Sequence, residues 1–242
     1  MNLYALLKAR AVPIRVGLIG CGKFGSMFLA QAQRTPGLHI VGIADKEPAN
    51  ARSALSLVGW PDAQFAASTL GEAVRNSTTC VMDDAMSLIH LPELDVLIDA
   101  TGSPPAGIRH ATTAIEHGKH LVMVNVETDA LVGPLLAERA RQAGVVYSLA
   151  YGDQPALIAE MVDWARSAGL EVVSAGKGTK YLPSFHASTP ETIWQHYGIT
   201  PEDAARGRLN PQMFNSFLDG TKSAIEVQDP LALLARHMCP HA

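Results

Sequence analysis

The feature that most constrains the fold is a glycine-rich turn that directly follows an apolar run near the start of the chain. Residues 16–19 are mostly apolar and predict a buried parallel strand, and glycines follow at Gly20, Gly22 and Gly25, before a helical pattern. In such a turn the first glycine permits the reversal, the second lets the backbone approach a pyrophosphate, and the third lets the helix pack on the sheet. The helix N-terminus adds N–H groups for the phosphates. The pattern predicts a dinucleotide-binding turn, and an ordinary tight βα turn is the alternative.

An acidic residue follows at the position expected for a ribose-binding carboxylate. Asp45 ends the next apolar run, 20 residues after Gly25, which is the spacing of the dinucleotide motif. Its carboxylate would accept hydrogen bonds from ribose hydroxyls and repel a 2′-phosphate, which favours NAD. Lys46 and Arg52 are close in the sequence and could neutralise such a phosphate. The choice between NAD and NADP therefore stays open.

Strand and helix patterns alternate along the first 150 residues, with short connections between them. This alternation predicts an α/β fold, a doubly wound parallel sheet of the Rossmann type with helices on both faces. We assign residues 1–150 to a NAD(P)-binding domain, 151–226 to the beginning of an incomplete α/β catalytic or substrate region, and 227–242 to an atypical tail. A further strand is predicted at residues 170–175.

The composition excludes several classes of protein. A net charge of −4 without a basic block gives no general attraction to nucleic acid or anionic lipid. Three scattered cysteines indicate neither a disulfide framework nor a Cys-built metal site, which fits a reducing compartment. No apolar run approaches the ~20 residues that span a bilayer, and the first residues are expected to form a short helix, not a signal peptide. We expect a cytoplasmic protein with a small-molecule substrate, no nucleic-acid or membrane partner, and a homo-oligomer as one option.

Ligands of open α/β sheets bind outside the carboxyl ends of the strands, and two further stretches fall there. Thr101 and Gly102 follow a central strand and would lie beneath the nicotinamide ribose. Asn125 follows the next strand and could hydrogen-bond the cofactor or substrate, or it could be a helix N-cap. The predicted cofactor-binding residues are Gly20, Gly22, Lys23, Phe24, Gly25, Asp45, Thr101, Gly102 and Asn125.

A loop with two lysines, residues 176–180, is the first candidate for the chemistry. Lys177 and Lys180 alternate with small residues after the predicted strand. There they could bind a phosphate or carboxylate, or protonate a developing alkoxide, as hydride transfer requires. The alternative is a pair of solvated loop lysines. Asp153 could orient a lysine or hold a cation, and it could equally cap the helix that follows it.

The histidines show no pair with metal-ligand spacing. His186 is the histidine best placed near the lysine loop. Other histidines are expected to cover a helix surface: His110, His117 and His120. A divalent metal stays an option, because Asp153, Glu127 and Glu226 could contribute oxygen ligands.

Five stretches together resemble one family of enzymes. The stretches are residues 98–102, 118–120, 122–127, 151–155 and 176–181. They resemble the homoserine-dehydrogenase-like oxidoreductases, and most closely the 1-deoxy-D-xylulose 5-phosphate reductoisomerase-like branch (DXR-like, or DRL), whose members usually carry a C-terminal SAF domain. The resemblance covers roughly residues 12–226.

The resemblance implies an NAD(P)-dependent oxidoreductase. For the DRL branch it implies NADPH-dependent conversion of 1-deoxy-D-xylulose 5-phosphate to 2-C-methyl-D-erythritol 4-phosphate, in isoprenoid biosynthesis. By this resemblance Lys177 and Lys180 would meet the substrate, and Asp153 would line the same pocket. Other small hydroxy or keto substrates stay open, as does a homoserine-dehydrogenase-like activity on an amino-acid-derived substrate. A catalytically inactive nucleotide-binding remnant is the alternative from another class.

The chain departs from the family's pattern after Glu226. We expect that it ends early relative to the family, through a frameshift or a similar event. The part beyond this point would hold the rest of the substrate and dimerisation region and the SAF domain. We expect that apolar surface normally covered by that part is then exposed, and that solubility is low.

Overall fold

The computed structural model describes residues 2–178, 181–207 and 209–225, and the chain divides into two compact units after Tyr151. Two residues singled out by the sequence, Lys180 and Glu226, lie outside the described residues, as does the tail 227–242. Within the described part of the chain, no helix combines the length and the apolar character that crossing a bilayer requires.

The first unit alternates strands with helices. Its strands are β1 (Ile14–Ile19), β2 (Leu38–Ala44), β3 (Cys80–Met82), β4 (Val96–Asp99), β5 (His120–Met123) and β6 (Tyr147–Leu149). Its helices are α1 (Leu3–Lys8), α2 (Lys23–Ala32), α3 (Pro48–Leu57), α4 (Leu70–Asn76), α5 (Ala85–Ile89), α6 (Pro104–Glu116) and α7 (Val126–Ala143), with a 3₁₀ helix at Asp62–Phe65.

The strands form one parallel sheet in the order β3-β2-β1-β4-β5-β6. From β1 the chain runs outward through β2 and β3, then crosses back to β4 and runs outward in the opposite direction. This order confirms the predicted doubly wound sheet. The reversal lies between β1 and β4, which places a crevice at their carboxyl ends.

Each face of the sheet carries its own apolar core, because successive residues of a strand point to opposite faces. In β1, Leu18 packs into one core with Leu29 of α2 and Leu55 of α3. The next residue, Ile19, packs into the other core with Leu88 of α5. Helices on both faces therefore fix the sheet and hold its carboxyl ends in place.

Leu88 packs where two neighbouring strands carry no side chain. Gly17 of β1 and Gly42 of β2 are paired in the sheet register. A Cβ on Gly17 would stand 3.1 Å from Leu88 Cγ, and a Cβ on Gly42 would stand 2.6 Å from Leu88 Cδ1. The two glycines thus form a recess for one fully buried leucine, which seats the short helix α5 on the sheet.

The second unit consists of helices and irregular segments in its described part. The helices are α8 (Gln154–Ser167), α9 (Ile193–Tyr197), α10 (Pro201–Arg206) and α11 (Pro211–Leu218), with a 3₁₀ helix at Pro183–Ala187. The predicted strand at residues 170–175 is wrong, because this segment has no regular structure. Leu170 is 55% and Val173 89% exposed. A strand needs a neighbour for its backbone groups, and the described part of this unit offers none.

Candidate functional site

Gly20 ends β1 and turns the chain toward α2. Its φ of +89° lies in the left-handed region that favours glycine. A Cβ there would stand 2.8 Å from the Ala100 carbonyl oxygen. The Gly20 N–H donates to the Ala44 carbonyl oxygen at 2.9 Å. Both the backbone conformation and the close neighbour therefore require glycine at the start of the turn.

The other two glycines of the motif meet different surroundings. A Cβ on Gly25 would stand 2.6 Å from the Gly20 carbonyl oxygen, whereas a Cβ on Gly22 would meet no atom within 4 Å. Gly22 is the N-cap of α2, and no side chain caps this helix. Lys23 and Phe24, at the start of the helix, are exposed. The turn thus presents open backbone and the free N–H groups of a helix N-terminus, which suit a phosphate.

The Asp45 carboxylate holds the turn through the backbone. Its Oδ2 accepts from the Cys21 N–H at 2.7 Å, and its Oδ1 accepts from the Glu47 N–H at 2.9 Å. Each carboxylate oxygen has two acceptor sites, so both oxygens keep one for a ribose hydroxyl. Burial, and secondarily the charge of Asp45, raises the pKa of the Cys21 thiol to about 11. The thiol is therefore protonated at neutral pH.

A cavity of about 580 Å³ opens beside this turn. Parts of residues 19–22, 44–46, 83–86 and 100–110 form its wall. The volume lies within the roughly 300–1,000 Å³ that small-molecule sites occupy. Five predicted cofactor-binding residues belong to the wall: Gly20, Gly22, Asp45, Thr101 and Gly102. The other four lie outside it: Lys23, Phe24, Gly25 and Asn125.

Charges of both signs line the cavity. The permanent cations are Lys46 and Arg109, and the carboxylates are Asp45, Asp83 and Asp84. Asp84 accepts from the Ser87 hydroxyl at 2.5 Å and from the Met86 N–H at 2.9 Å. The bond from Ser87 is the main reason that the pKa of Asp84 lies below its usual value. The wall thus carries three carboxylates against two permanent cations.

A hydrogen-bond network that the sequence patterns did not indicate lies at the end of β4. Asp99 is 0% exposed. Its Oδ1 accepts from the Thr101 N–H at 3.0 Å and from the Thr101 hydroxyl at 2.7 Å. Its Oδ2 lies 2.8 Å from His110 Nδ1. The sequence carries only a partial signal: an acid that ends an apolar central strand must find donors nearby, but the pattern does not indicate which residues donate.

His110 was expected on a helix surface, and that prediction is wrong. The residue is 4% exposed and forms part of the cavity wall. Only Ala100 to Ser103 separate β4 from α6. The second turn of α6 therefore passes beside the end of β4, where the imidazole of His110 contacts the buried Asp99 carboxylate. His117 is exposed at the end of α6, as expected. His120 is exposed as well, but it is the first residue of β5 and not part of a helix surface.

Asn125 extends the network toward β5. It is 3% exposed, and its Oδ1 accepts from the Thr128 N–H at 3.1 Å as the N-cap of α7. Its Nδ2 donates to the Thr101 hydroxyl at 3.3 Å. The capping role, one of the two interpretations of the sequence, is therefore present. A contact with the cofactor stays a prediction.

In the second unit, the candidates for the chemistry lie near the start of α8. Lys177 donates to the side-chain oxygen of Gln154. Asp153 is the N-cap of α8, and its Oδ1 accepts from the Gln154 N–H at 2.9 Å. Lys180 lies outside the described residues. The catalytic roles of Lys177, Lys180 and Asp153 stay predictions.

Within residues 2–178, 181–207 and 209–225, no group of three or more His, Cys, Asp or Glu side chains could hold a metal ion. Glu127 is half-buried in the first turn of α7, and Asp153 is half-buried at its cap position. His186 is exposed, and its ring centroid lies 5.3 Å from that of Tyr181. A divalent metal therefore stays a prediction of the sequence.

The turn, the carboxylate after β2 and the cavity beside them define a dinucleotide-binding α/β domain. The profile of the homoserine dehydrogenase NAD-binding domain family matches residues 20–149, more than half of the chain. The chain belongs to this family. A second profile, that of the catalytic domain of oxidoreductase DRL, matches residues 152–229. The two matches confirm the resemblance noted in the sequence.

Solved structures show a weaker likeness. A homoserine dehydrogenase from Thiobacillus denitrificans is 21% identical with a TM-score of 0.45, and the match covers 57% of this chain and 29% of that one. An NAD-binding oxidoreductase from Klebsiella pneumoniae is 22% identical, with a TM-score of 0.44 and coverages of 65% and 39%. A biliverdin reductase from Synechocystis, solved with biliverdin and NADP+, is 19% identical, with a TM-score of 0.43 and coverages of 64% and 42%.

The chain thus spans less than half of the length of each of these proteins. None of the curated proteins matches it. The match over residues 20–149 shows the family to which the chain belongs.

Proposed function

We propose that this chain binds a nicotinamide dinucleotide along the glycine turn and transfers hydride between it and a small carbonyl or hydroxy compound. The observation that carries the proposal is one wall that combines the open backbone at Gly22, the uncapped N-terminus of α2 and the Asp45 carboxylate. The bound cofactor would supply or accept the hydride. The protein would hold its pyrophosphate at the turn and a ribose at Asp45.

NADH is the preferred cofactor in this proposal. Asp45 keeps an acceptor site on each oxygen for a ribose hydroxyl, and the cavity wall carries more carboxylates than permanent cations. The 2′-phosphate of NADPH would bring further negative charge to a cavity wall that already carries an excess of carboxylates. Lys46 and Arg109 favour the phosphate, but they are outnumbered. The resemblance to the DRL branch favours NADPH instead, so the cofactor titration decides between the two.

We propose Lys177 or Lys180 as the proton donor. When hydride reaches a carbonyl carbon, the oxygen gains negative charge and needs a proton from a positioned acid. Lys177 is held by the Gln154 side chain next to Asp153. These three residues lie in the region that matches the DRL catalytic domain. Lys180 lies in the same matched region.

We propose a small phosphorylated compound as the substrate, with 1-deoxy-D-xylulose 5-phosphate as the first candidate. The proposal is supported by the resemblance to the DRL branch, whose catalytic domain matches residues 152–229, and it would place the chain in isoprenoid biosynthesis. The second candidate is an amino-acid-derived substrate such as homoserine, which the profile matched by residues 20–149 favours. A lysine ammonium group can bind the phosphate of the first or the carboxylate of the second.

The test of cofactor binding is a fluorescence titration of the purified chain with NADH and with NADPH. We expect saturable binding of both, with NADH the tighter ligand. The variant Asp45→Asn, which removes one negative charge, is expected to raise the affinity for NADPH relative to NADH by about tenfold. If neither nucleotide binds to soluble, monodisperse protein, the proposed function is wrong.

Turnover is tested by nicotinamide absorbance with 1-deoxy-D-xylulose 5-phosphate and with homoserine, with and without added Mg²⁺. Lys177→Met or Lys180→Met is expected to abolish turnover and to leave NADH affinity nearly unchanged. Lys8→Met, on the exposed helix α1, is the control. Full activity in both loop variants would exclude the lysines as proton donors, and NADH binding without turnover would favour an inactive nucleotide-binding protein.

A further inference from the structure

We propose that His110, positioned by Asp99, is a ligand-contacting residue that recognises the adenosine half of the dinucleotide. This inference rests on the proposed cofactor binding. His110 belongs to the same cavity wall as Gly22 and Asp45, the residues assigned to the pyrophosphate and the ribose. The same wall holds Thr101 and Gly102, which are predicted to lie beneath the nicotinamide ribose. We place His110 at the adenosine half, and ADP, which lacks the nicotinamide half, tests this placement.

The Asp99 carboxylate determines which nitrogen of His110 faces the ligand. Asp99 is fully buried, and a carboxylate only accepts hydrogen bonds. The 2.8 Å contact with His110 Nδ1 therefore requires the proton on Nδ1. In the neutral ring Nε2 is then an acceptor. Asp99 thus acts as a positioning residue that sets both the orientation and the tautomer of the imidazole.

The Nε2 atom is available for a ligand. Among the hydrogen bonds and ion pairs of the described residues, His110 takes part through Nδ1 alone, in its contact with Asp99. Nε2 is also not among the buried unpartnered atoms of the described residues, which are Thr78 Oγ1, Thr128 Oγ1, Asp129 Oδ2 and Asn215 Oδ1. Since the ring lines the cavity, Nε2 opens onto it. In the neutral ring this atom accepts a hydrogen bond, which suits a donor, and the adenosine half carries two kinds, the amino group of adenine and the ribose hydroxyls.

Thr101 does not offer the same recognition. Its hydroxyl donates to Asp99 Oδ1 and accepts from Asn125 Nδ2. Its N–H also donates to Asp99. These bonds direct the polar groups of Thr101 into the protein. His110 is therefore the member of this network that presents a side-chain hydrogen-bonding atom to the cavity.

Two amide variants separate the ligand contact from the contact with Asp99. In His110→Asn, the amide N–H can replace Nδ1 as donor to Asp99, but nothing replaces Nε2. In His110→Gln, the longer amide can reach the place of Nε2, while the donor to Asp99 is lost. His117→Asn is the control, because this histidine lies exposed after the last turn of the same helix, outside the cavity wall.

The measurements are the thermal unfolding midpoint of each nucleotide-free protein and the dissociation constants for NADH and ADP. We expect His110→Asn to keep the midpoint of the unmodified chain but to bind both nucleotides about tenfold more weakly. We expect His110→Gln to unfold at a lower temperature but to bind more tightly than His110→Asn. His117→Asn is expected to change neither quantity.

Deamino-NADH, which lacks the amino group of adenine, identifies the donor. If His110→Asn binds this analogue as well as the unmodified chain does, the amino group is the partner. If the tenfold loss persists, a ribose hydroxyl is the partner. Unchanged NADH and ADP affinity in His110→Asn would overturn this inference alone, whereas the absence of any nucleotide binding by the unmodified chain would overturn it together with the proposed function.

Discussion

Gly20 and Gly22 stand two positions apart but are subject to different physical demands. Gly20→Ala would force a Cβ to within 2.8 Å of a carbonyl oxygen at a φ of +89°. We expect a loss of about 1–3 kcal/mol in the free energy of unfolding. Gly22→Ala meets no atom within 4 Å. Its stability should stay within about 0.5 kcal/mol of the unmodified chain, while its methyl group blocks the approach of a pyrophosphate.

Chemical denaturation and NADH titration of the two variants check this prediction. Gly20→Ala should lose stability, whereas Gly22→Ala should keep its stability and bind NADH at least tenfold more weakly. A Gly22→Ala variant that binds NADH normally would show that the nucleotide does not approach the turn at this residue.

The turn could be predicted from the sequence because its chemistry is local. The strand, the three glycines and Asp45 lie within a short stretch, and each has a role that its residue type alone suggests. The pair Asp99 and His110 could not be predicted in this way. Their contact depends on how closely α6 passes the end of β4, which is a tertiary property that no local pattern contains.

At the scale of elements, Lys119 ties the beginnings of two strands together. It precedes β5, is 7% exposed, and donates from Nζ to the carbonyl oxygens of Pro92 and Leu94 at 2.8 and 2.9 Å. Burial lowers the pKa of this ammonium group. Lys119→Met would leave both carbonyl groups without this donor. We expect a loss of about 1–3 kcal/mol in the free energy of unfolding.

Urea denaturation followed by circular dichroism measures the effect of Lys119→Met. Lys8→Met on the exposed helix α1 should stay within about 0.5 kcal/mol of the unmodified chain. Equal stability of the Lys119 variant would mean that water or neighbouring groups replace the ammonium donor.

The elements of the first unit could be predicted because each strand is both apolar and flanked by turn or helix signals. The segment 170–175 shows the limit of that reasoning. Its apolar residues indicate a tendency to be buried or paired, but a strand also requires a neighbour with free backbone groups. No sequence window contains that information, and in the described part of the second unit the neighbour is not present.

At the scale of the whole molecule, we expect two buried thiols to make the free energy of unfolding depend on pH in the alkaline range. Burial raises the pKa of both Cys21 and Cys80 above the ordinary value of 9.0, to about 11 for Cys21. As pH rises past 9, the unfolded chain loses protons that the folded chain retains. The unfolded state then binds fewer protons, so the free energy of unfolding falls with rising pH. The contribution of the thiols to the free energy of unfolding is fully present below pH 9. It is lost as the pH rises past the pKa values of the thiols in the folded chain.

Denaturation at several pH values from neutral to about pH 11 tests this expectation. The double variant Cys21→Ala, Cys80→Ala should lose less stability over this range than the unmodified chain. Shifts at Lys119 and Tyr197 occur in both proteins and cancel in the difference. Parallel stability curves would refute the proposed contribution of the thiols.

The recess that Gly17 and Gly42 form for Leu88 limits which substitutions this sequence can accumulate during evolution. The three positions are far apart in the chain, yet they share one small volume. A Cβ on Gly17 would also stand 3.0 Å from Leu94 Cδ1, and a Cβ on Gly42 would stand 2.9 Å from Leu70 Cδ2. A larger residue at either glycine therefore requires room at position 88 and at this second leucine. Among divergent descendants, these five positions should change as a correlated set.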